Sequence, residues 1–133
     1  MGDYRKIEVW QRARALCGRI DALIGKLPPA MRPSVRHQLG RAVESIRHNI
    51  AEGTGLNSDR FLAKHLRFAL GSANEAQDEL ETLDEKGLLP AEDKDLLREI
   101  AEIRAMLAAF LNRVLRDIDK AKKSRTAPRR ADS

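Results

Sequence analysis

Residues 45–80 join two amphipathic helical patterns through one short glycine-marked turn, and this feature constrains the fold most. Gly53 and Gly55 supply backbone that tolerates positive φ where a helix stops. Asn57 or Ser58 can then cap the helix that follows. The segment therefore predicts a helical hairpin.

Apolar residues recur at helical spacing in four stretches, which predicts four helices over about residues 5–26, 33–53, 59–86 and 90–123. The predicted core positions are Trp10, Ala13, Cys17, Ile20, Ile24, Leu27, Val35, Leu39, Ala42, Ile46, Ile50, Leu62, Leu66, Ala69, Ala73, Ala76, Leu80, Leu83, Leu96, Ile100, Ile103, Leu107, Phe110 and Val114. Short connections favour an all-α, antiparallel up-down-up-down four-helix bundle. We expect one bundle domain over residues 1–123 and a basic, disordered tail over residues 124–133.

The composition agrees with a helical bundle, because aromatic residues make up 4% of the chain and charged residues 34%. Cys17 is the single cysteine, so we expect a buried thiol and a reducing compartment. The sequence begins without a signal-peptide pattern, and its longest apolar run is too short to span a bilayer. A cytoplasmic protein is expected.

Several kinds of chemistry lack their motifs in this sequence. It has no Glu-x-x-His pair for a di-metal bundle site and no glycine-rich phosphate loop. Glu44 and Glu52 each lie four residues from His48, a spacing that surface hydrogen bonds explain. Cys17 lies on the core stripe without a histidine in its helix. We therefore expect a protein that is not an enzyme and that has no catalytic residue, metal or cofactor.

Positive residues are organised more regularly than any catalytic group. Net charge is +6 for residues 1–50, −3 for residues 51–123 and +2 for residues 124–133. In the first helix, cations recur every seven residues and so form one slowly drifting stripe, and the second helix adds more. The candidate nucleic-acid-binding residues are Arg5, Arg12, Arg19, Lys26, Arg32, Arg36, Arg41 and Arg47. Such a surface attracts phosphates through counterion release and needs no base-specific contact.

Two other interpretations stay open. Some of these arginines can pair within the chain, with the acid-rich run of Glu75, Asp78, Glu79, Glu81, Asp84 and Glu85. The same opposite charges can instead meet between subunits. Phe61, Phe68 and Leu70 lie off the main heptad of the third helix, so they are candidates for a subunit interface or for a wide core face.

The order of several short motifs resembles a bacterial four-helix-bundle family that includes the 23S ribosomal RNA intervening-sequence proteins. The motifs are Val9-Trp10-Gln11, Gln38-Leu39, Arg41-Ala42, Ser45-Ile46, Asn49-Ile50-Ala51-Glu52-Gly53, Phe61-Leu62, Ala69-Leu70-Gly71-Ser72 and Glu75. The resemblance covers about residues 4–118. This chain has Leu56-Asn57 where the family commonly has a basic residue after the glycine turn.

The resemblance implies a homopentamer without catalysis. A related branch, the accessory variability determinants of diversity-generating retroelements, binds nucleic acid and a partner reverse transcriptase. We therefore expect a non-enzymatic oligomer that binds structured RNA or RNA/DNA without sequence specificity, through the basic surface of helices one and two. The alternative is an accessory adaptor for such a reverse transcriptase.

Overall fold

Four long helices form an all-α bundle in a computed structural model that describes residues 3–126. Helix α1 spans Glu8–Lys26 and helix α3 spans Asp59–Glu85. Helix α2 is continuous but consists of an α-helical turn, Arg32–Val35, a π-helical segment, Arg36–Gly40, and a longer α-helical part, Arg41–Gly53. Helix α4 spans Leu96–Thr126. Three single 3₁₀ turns, Tyr4–Lys6, Pro29–Met31 and Ala91–Asp93, complete the described elements.

Each helix packs against two neighbours, in the cyclic order α1, α2, α3, α4. The predicted core positions are buried at the centre of this arrangement, with two exceptions. Val35 and Phe110 are only half-buried against the core. The four-helix bundle is thus confirmed, and Phe110 marks a place where the core is incompletely covered.

Helices α2 and α3 approach each other closely along a stripe of small residues. Ala69, Ala73 and Ala76 are fully buried on α3. The Ser72 hydroxyl donates to the Ser45 hydroxyl across the interface at 2.8 Å. Because small side chains let helix axes come together, this contact confirms the close approach that the alanine stripe predicts.

The glycines of the turn between α2 and α3 do not have the positive φ for which the sequence offered them. Gly87 alone among residues 3–126 has a positive φ, of 71°, so neither Gly53 nor Gly55 needs that freedom. The α2 terminus is instead capped by Thr54, whose hydroxyl donates to the carbonyls of Ile50 and Ala51 at 3.1 and 3.0 Å. Ser58 caps α3 by accepting from the Phe61 N–H at 3.2 Å.

Three predicted helix ends, the start of the first helix and both ends of the fourth, differ from the structure. Ile7 is extended, with φ −82° and ψ 121°, so residues 4–6 form a separate 3₁₀ turn and α1 begins three residues later than predicted. The predicted start of the fourth helix at Pro90 is a 3₁₀ turn, because the Asp93 N–H donates to the Pro90 carbonyl and α4 begins only at Leu96. At its other end α4 continues to Thr126, so the predicted tail begins inside the helix. The remaining tail positions, residues 127–133, lie outside the described residues.

Candidate nucleic-acid interface

The seven-residue stripe on α1 lies along the groove between α1 and α4, where it forms a ladder of ion pairs. Arg12 donates from Nε and Nη2 to the two carboxylate oxygens of Glu99 at 2.9 and 2.8 Å, and also pairs with Glu102. Arg19 donates from both terminal nitrogens to Asp95 at 2.6 and 2.7 Å. Two arginines of the stripe are therefore held by bidentate carboxylate contacts.

Lys26 forms the third rung of this ladder. Its Nζ lies 2.8 Å from Asp93 Oδ2 and 3.3 Å from Glu92 Oε1. Asp93 is buried and its second oxygen lies 3.8 Å from Arg19 Nη2, so it links two rungs. As the cations advance along α1, their partners come from progressively earlier residues, from α4 back into the turn before it, which is the order that antiparallel chain directions require.

These contacts change proton affinity in the direction expected of ion pairs. Hydrogen bonds from Arg19 lower the pKa of Asp95 below its usual value. The hydrogen bond with Asp93 raises the pKa of Lys26, and the hydrogen bonds with Glu99 and Glu102 raise that of Arg12. These pKa changes favour the charged forms of Asp95, Lys26 and Arg12.

The partners of the stripe are not those of the acid-rich run proposed as an alternative. They come from residues 92–102, in the turn before α4 and its first two turns. Within residues 3–126 the acid-rich run contributes one ion pair, between Asp84 and Lys94 in the turn before α4. The sequence contains both partners of each rung, but only the folded chain shows which helices lie side by side.

Arg5 is separated from the ladder although it continues the seven-residue spacing. Because α1 begins only at Glu8, Arg5 lies in the preceding 3₁₀ turn. Its Nε donates to Asp3 at 2.9 Å, and both groups are outside the bundle core. The predicted stripe of four cations is therefore a ladder of three.

The basic residues at the two ends of α2 support the local structure. Arg32 donates to the carbonyls of Leu27 and Gly25 at 3.0 and 2.9 Å, which ties the connection between α1 and α2. The Arg47 guanidinium lies 5.5 Å from the centre of the Trp10 ring, on which it forms a cation–π contact. Both arginine residues are half-buried.

The middle of α2 presents cations that are held more loosely. Arg36, His37, Arg41 and His48 are all exposed there, and we call this group the α2 face. Among residues 3–126 no acidic side chain forms an ion pair with Arg41. Arg36 lies 3.4 Å from Asp21, and both of these side chains are more than half exposed.

Two shallow cavities flank Arg41, and both cationic and acidic side chains line each of them. The first, of about 400 Å³, is lined by Arg36, Arg41 and His48 together with the carboxylate of Glu44. His48 Nε2 lies 3.3 Å from Glu44 Oε2, a contact that the four-residue spacing predicts. The second cavity, of about 310 Å³, lies between α2 and α3. A phosphate at the α2 face would meet guanidinium donors without first displacing a bidentate carboxylate.

A partly buried polar network between α2 and α3 escaped the sequence analysis. The Asn49 amide donates to the carbonyl and hydroxyl of Ser45 at 2.9 and 3.0 Å, so its oxygen is left to accept from His65 Nδ1 at 2.9 Å. His65 is buried between the rings of Phe61 and Phe68. This network joins helices and explains why His65 lies on an otherwise apolar face. The signal for this network in the sequence is a histidine directly before Leu66, which is one of the regularly spaced apolar positions of the third helix.

The structure also bears on the Cys17 thiol, on metal-ligating side chains and on membrane-spanning helices. Cys17 is buried, and burial together with nearby Glu44 raises the pKa of its thiol to about 12, so the thiolate form is scarce at neutral pH. No group of three His, Cys, Asp or Glu side chains within residues 3–126 is arranged to hold a metal ion. None of the described helices is long and apolar enough to cross a membrane.

The fold and its ion pairs define a class of protein, the small all-α bundles in which charged side chains pair between neighbouring helices. Comparison with known families is more specific, because the model of the 23S rRNA-intervening sequence protein family matches residues 5–109. The chain therefore belongs to this family. No curated protein matches it significantly.

Proposed function

We propose that the protein is a non-enzymatic, oligomeric bundle that binds the backbone of structured RNA or of an RNA/DNA duplex through the α2 face. The observation that carries this proposal is the contrast between the two basic surfaces. The α1 ladder is neutralised within the chain, whereas Arg41 is exposed and has no ion-pair partner among residues 3–126. The α2 face is therefore the basic surface best prepared for phosphate.

Backbone recognition follows from the side chains available on this face. Arginine donors match the geometry of phosphate oxygens, whereas single-strand readers stack bases on exposed aromatic rings. The α2 face has no aromatic residue apart from its histidines. Neighbouring Glu44 and Asp21 reduce the local positive potential. We expect modest affinity per subunit, multiplied when several subunits contact one nucleic acid.

Binding of a fluorescent RNA hairpin, measured by anisotropy across a salt series, tests this proposal. Arg41→Gln should weaken binding to all sequences to a similar extent and reduce the slope of log K against log salt by about 1 for each subunit engaged. Arg116→Gln is the matched control, because Arg116 is an exposed arginine of α4 remote from the α2 face. Equal losses in the two variants, or binding that is insensitive to salt, would contradict the proposal.

Oligomer formation is the second part of the proposal, and the family resemblance suggests a pentamer. Phe68 supports it, because 51% of this large apolar side chain is exposed although its ring packs edge-on against His65. Leu56 is 54% exposed in the turn before the same helix. Apolar side chains of this size are frequent at subunit contacts.

The alternative function is an accessory adaptor for a reverse transcriptase of a diversity-generating retroelement. The exposed apolar side chains of Phe68 and Leu56 suit a protein partner as well as a second subunit. A reverse-transcriptase gene with a template repeat beside the gene for this chain would favour the adaptor. A location within a ribosomal RNA gene would favour an intervening-sequence protein without such a partner.

A further inference from the structure

An open apolar groove lies where α1 stops covering α4. Its volume is about 580 Å³. Ile7 and Val9, at the start of α1, line one side, and Met106, Phe110 and Val114 of α4 line the other. Phe110 and Met106 are only half-buried, so this part of the core is incompletely covered by the chain itself.

The groove occupies the place of a fourth rung in the α1–α4 ladder. Three cations of α1, at seven-residue intervals, pair with carboxylates of α4 and of the turn before it, and the next position in the series is Arg5. Arg5 pairs with Asp3 instead, because the chain leaves the α1 helix before Glu8. Helix α4 continues well past this point, to Thr126, without α1 beside it.

The charged groups around the groove are mostly acidic and lack cationic partners. Glu8, Asp59 and Asp117 line it, and within residues 3–126 none of the three forms an ion pair. Glu8 and Asp59 lie in the first turns of α1 and α3, where a negative charge also suits the helix dipole. The one cation of the lining, Arg113, has its guanidinium 5.2 Å from the centre of the Phe110 ring.

We propose that this groove binds a short amphipathic segment of a partner protein that presents a lysine or arginine beside apolar side chains. The apolar lining accepts the apolar face of the segment, and the unpaired carboxylates accept its cation, as the carboxylates of residues 92–102 accept the cations of α1 in the ladder. The acidic rim repels phosphate, so this site is separate from the α2 face and does not depend on the proposed nucleic-acid binding.

The probe for this proposal is a fluorescein-labelled, helix-forming Leu/Lys peptide of about 14 residues, or four helical turns. Its Leu/Glu counterpart has the same apolar pattern with opposite charge. We expect the full chain to bind the Leu/Lys peptide and not the Leu/Glu peptide. Asp117→Lys should weaken that binding by at least about tenfold, because it replaces an attraction by a repulsion.

Two controls keep this test decisive. Asp78→Lys is the matched variant, because it makes the same charge change at an exposed carboxylate near the other end of α3, and it should leave peptide affinity unchanged. Ala109→Arg tests the groove again with a different exposed residue of its lining and should also weaken binding. Thermal melts by circular dichroism establish that all three variants are folded.

Several outcomes would overturn the proposal. Equal binding of both peptides, or equal losses in Asp117→Lys and Asp78→Lys, would mean that general charge or apolar attraction accounts for the signal. An increase in peptide affinity of about tenfold on removal of residues 127–133 would identify this chain's own segment as the occupant. Self-association that Asp117→Lys abolishes would identify a second copy of the chain instead.

Discussion

At the residue scale, Gly53 shows how one side chain, or its absence, sets the distance between two helices. A Cβ placed on Gly53 would lie 2.8 Å from the Cβ of His65 and 3.2 Å from a methyl group of Leu62. The first distance is shorter than packed carbon atoms allow. Gly53 thus permits the close contact of α2 with α3 in which the Asn49–His65 hydrogen bond forms.

The substitution Gly53→Ala should destabilise the bundle by about 1–3 kcal/mol, because the added methyl group must push α3 away. Gly71→Ala is the matched control, since a Cβ there would meet nothing within 4 Å and the residue lies in the interior of α3. It should stabilise the protein by about 0.5–1 kcal/mol through helix propensity. Urea unfolding followed by circular dichroism measures both, and a Gly53→Ala protein as stable as wild type would contradict this role of the glycine.

At the element scale, the ladder predicts energetic coupling between α1 and α4. Arg19→Asp alone places two negative charges opposite each other, and Asp95→Arg alone places two positive charges opposite each other. The double variant should recover part of the loss, because it restores opposite charges at this partly exposed pair. Recovery is incomplete because Asp93 also lies near Arg19. Strictly additive losses in urea unfolding would show that the pair is not coupled.

The same rung predicts how stability depends on pH. Because Arg19 lowers the pKa of folded Asp95 below its unfolded value, the stabilisation is complete above the unfolded value of about 3.9 and is lost as the pH falls through the folded pKa. The difference in melting temperature between wild type and Asp95→Asn should therefore be constant from neutral pH to mildly acidic pH and shrink below it. For Asp78→Asn, an exposed carboxylate outside the ladder, we expect a small difference throughout. A difference in melting temperature between wild type and Asp95→Asn that persists in strong acid would contradict the assigned ion pair between Arg19 and Asp95.

Sequence periodicity predicted the elements well because burial repeats with the helical turn. The alternation from Leu62 to Leu83 allows only one buried face, and the structure buries all of it. The partners of Arg12 and Arg19 were less predictable, because their spacing fits carboxylates on any neighbouring helix. The choice between α3 and α4 depends on which helices are adjacent, and that depends on packing across the whole core. The start of α1 was missed because the extended conformation of Ile7 has no strong local signal.

At the scale of the whole molecule, the proposed oligomer repeats the α2 face once per subunit. Light scattering after size-exclusion chromatography should give a mass about five times 15.0 kDa. Phe68→Asp should lower this mass if the exposed ring lies at a subunit contact, whereas Ala105→Asp, at an exposed position of α4, should not. A mass of 15.0 kDa at every concentration would contradict both the pentamer and the repetition of the α2 face within one oligomer.

We propose that the cations of the α1 ladder pair within the chain while those of the α2 face bind phosphate. Nuclear magnetic resonance of the arginine side chains tests this difference most directly. The Nε–Hε signals of ¹⁵N-labelled protein can be followed while an RNA hairpin is added at low salt. We predict that the signals of Arg41 and Arg36 shift, while those of Arg12 and Arg19 stay in place because Glu99 and Asp95 hold them. Shifts of Arg12 and Arg19 with no change at Arg41 would contradict the account.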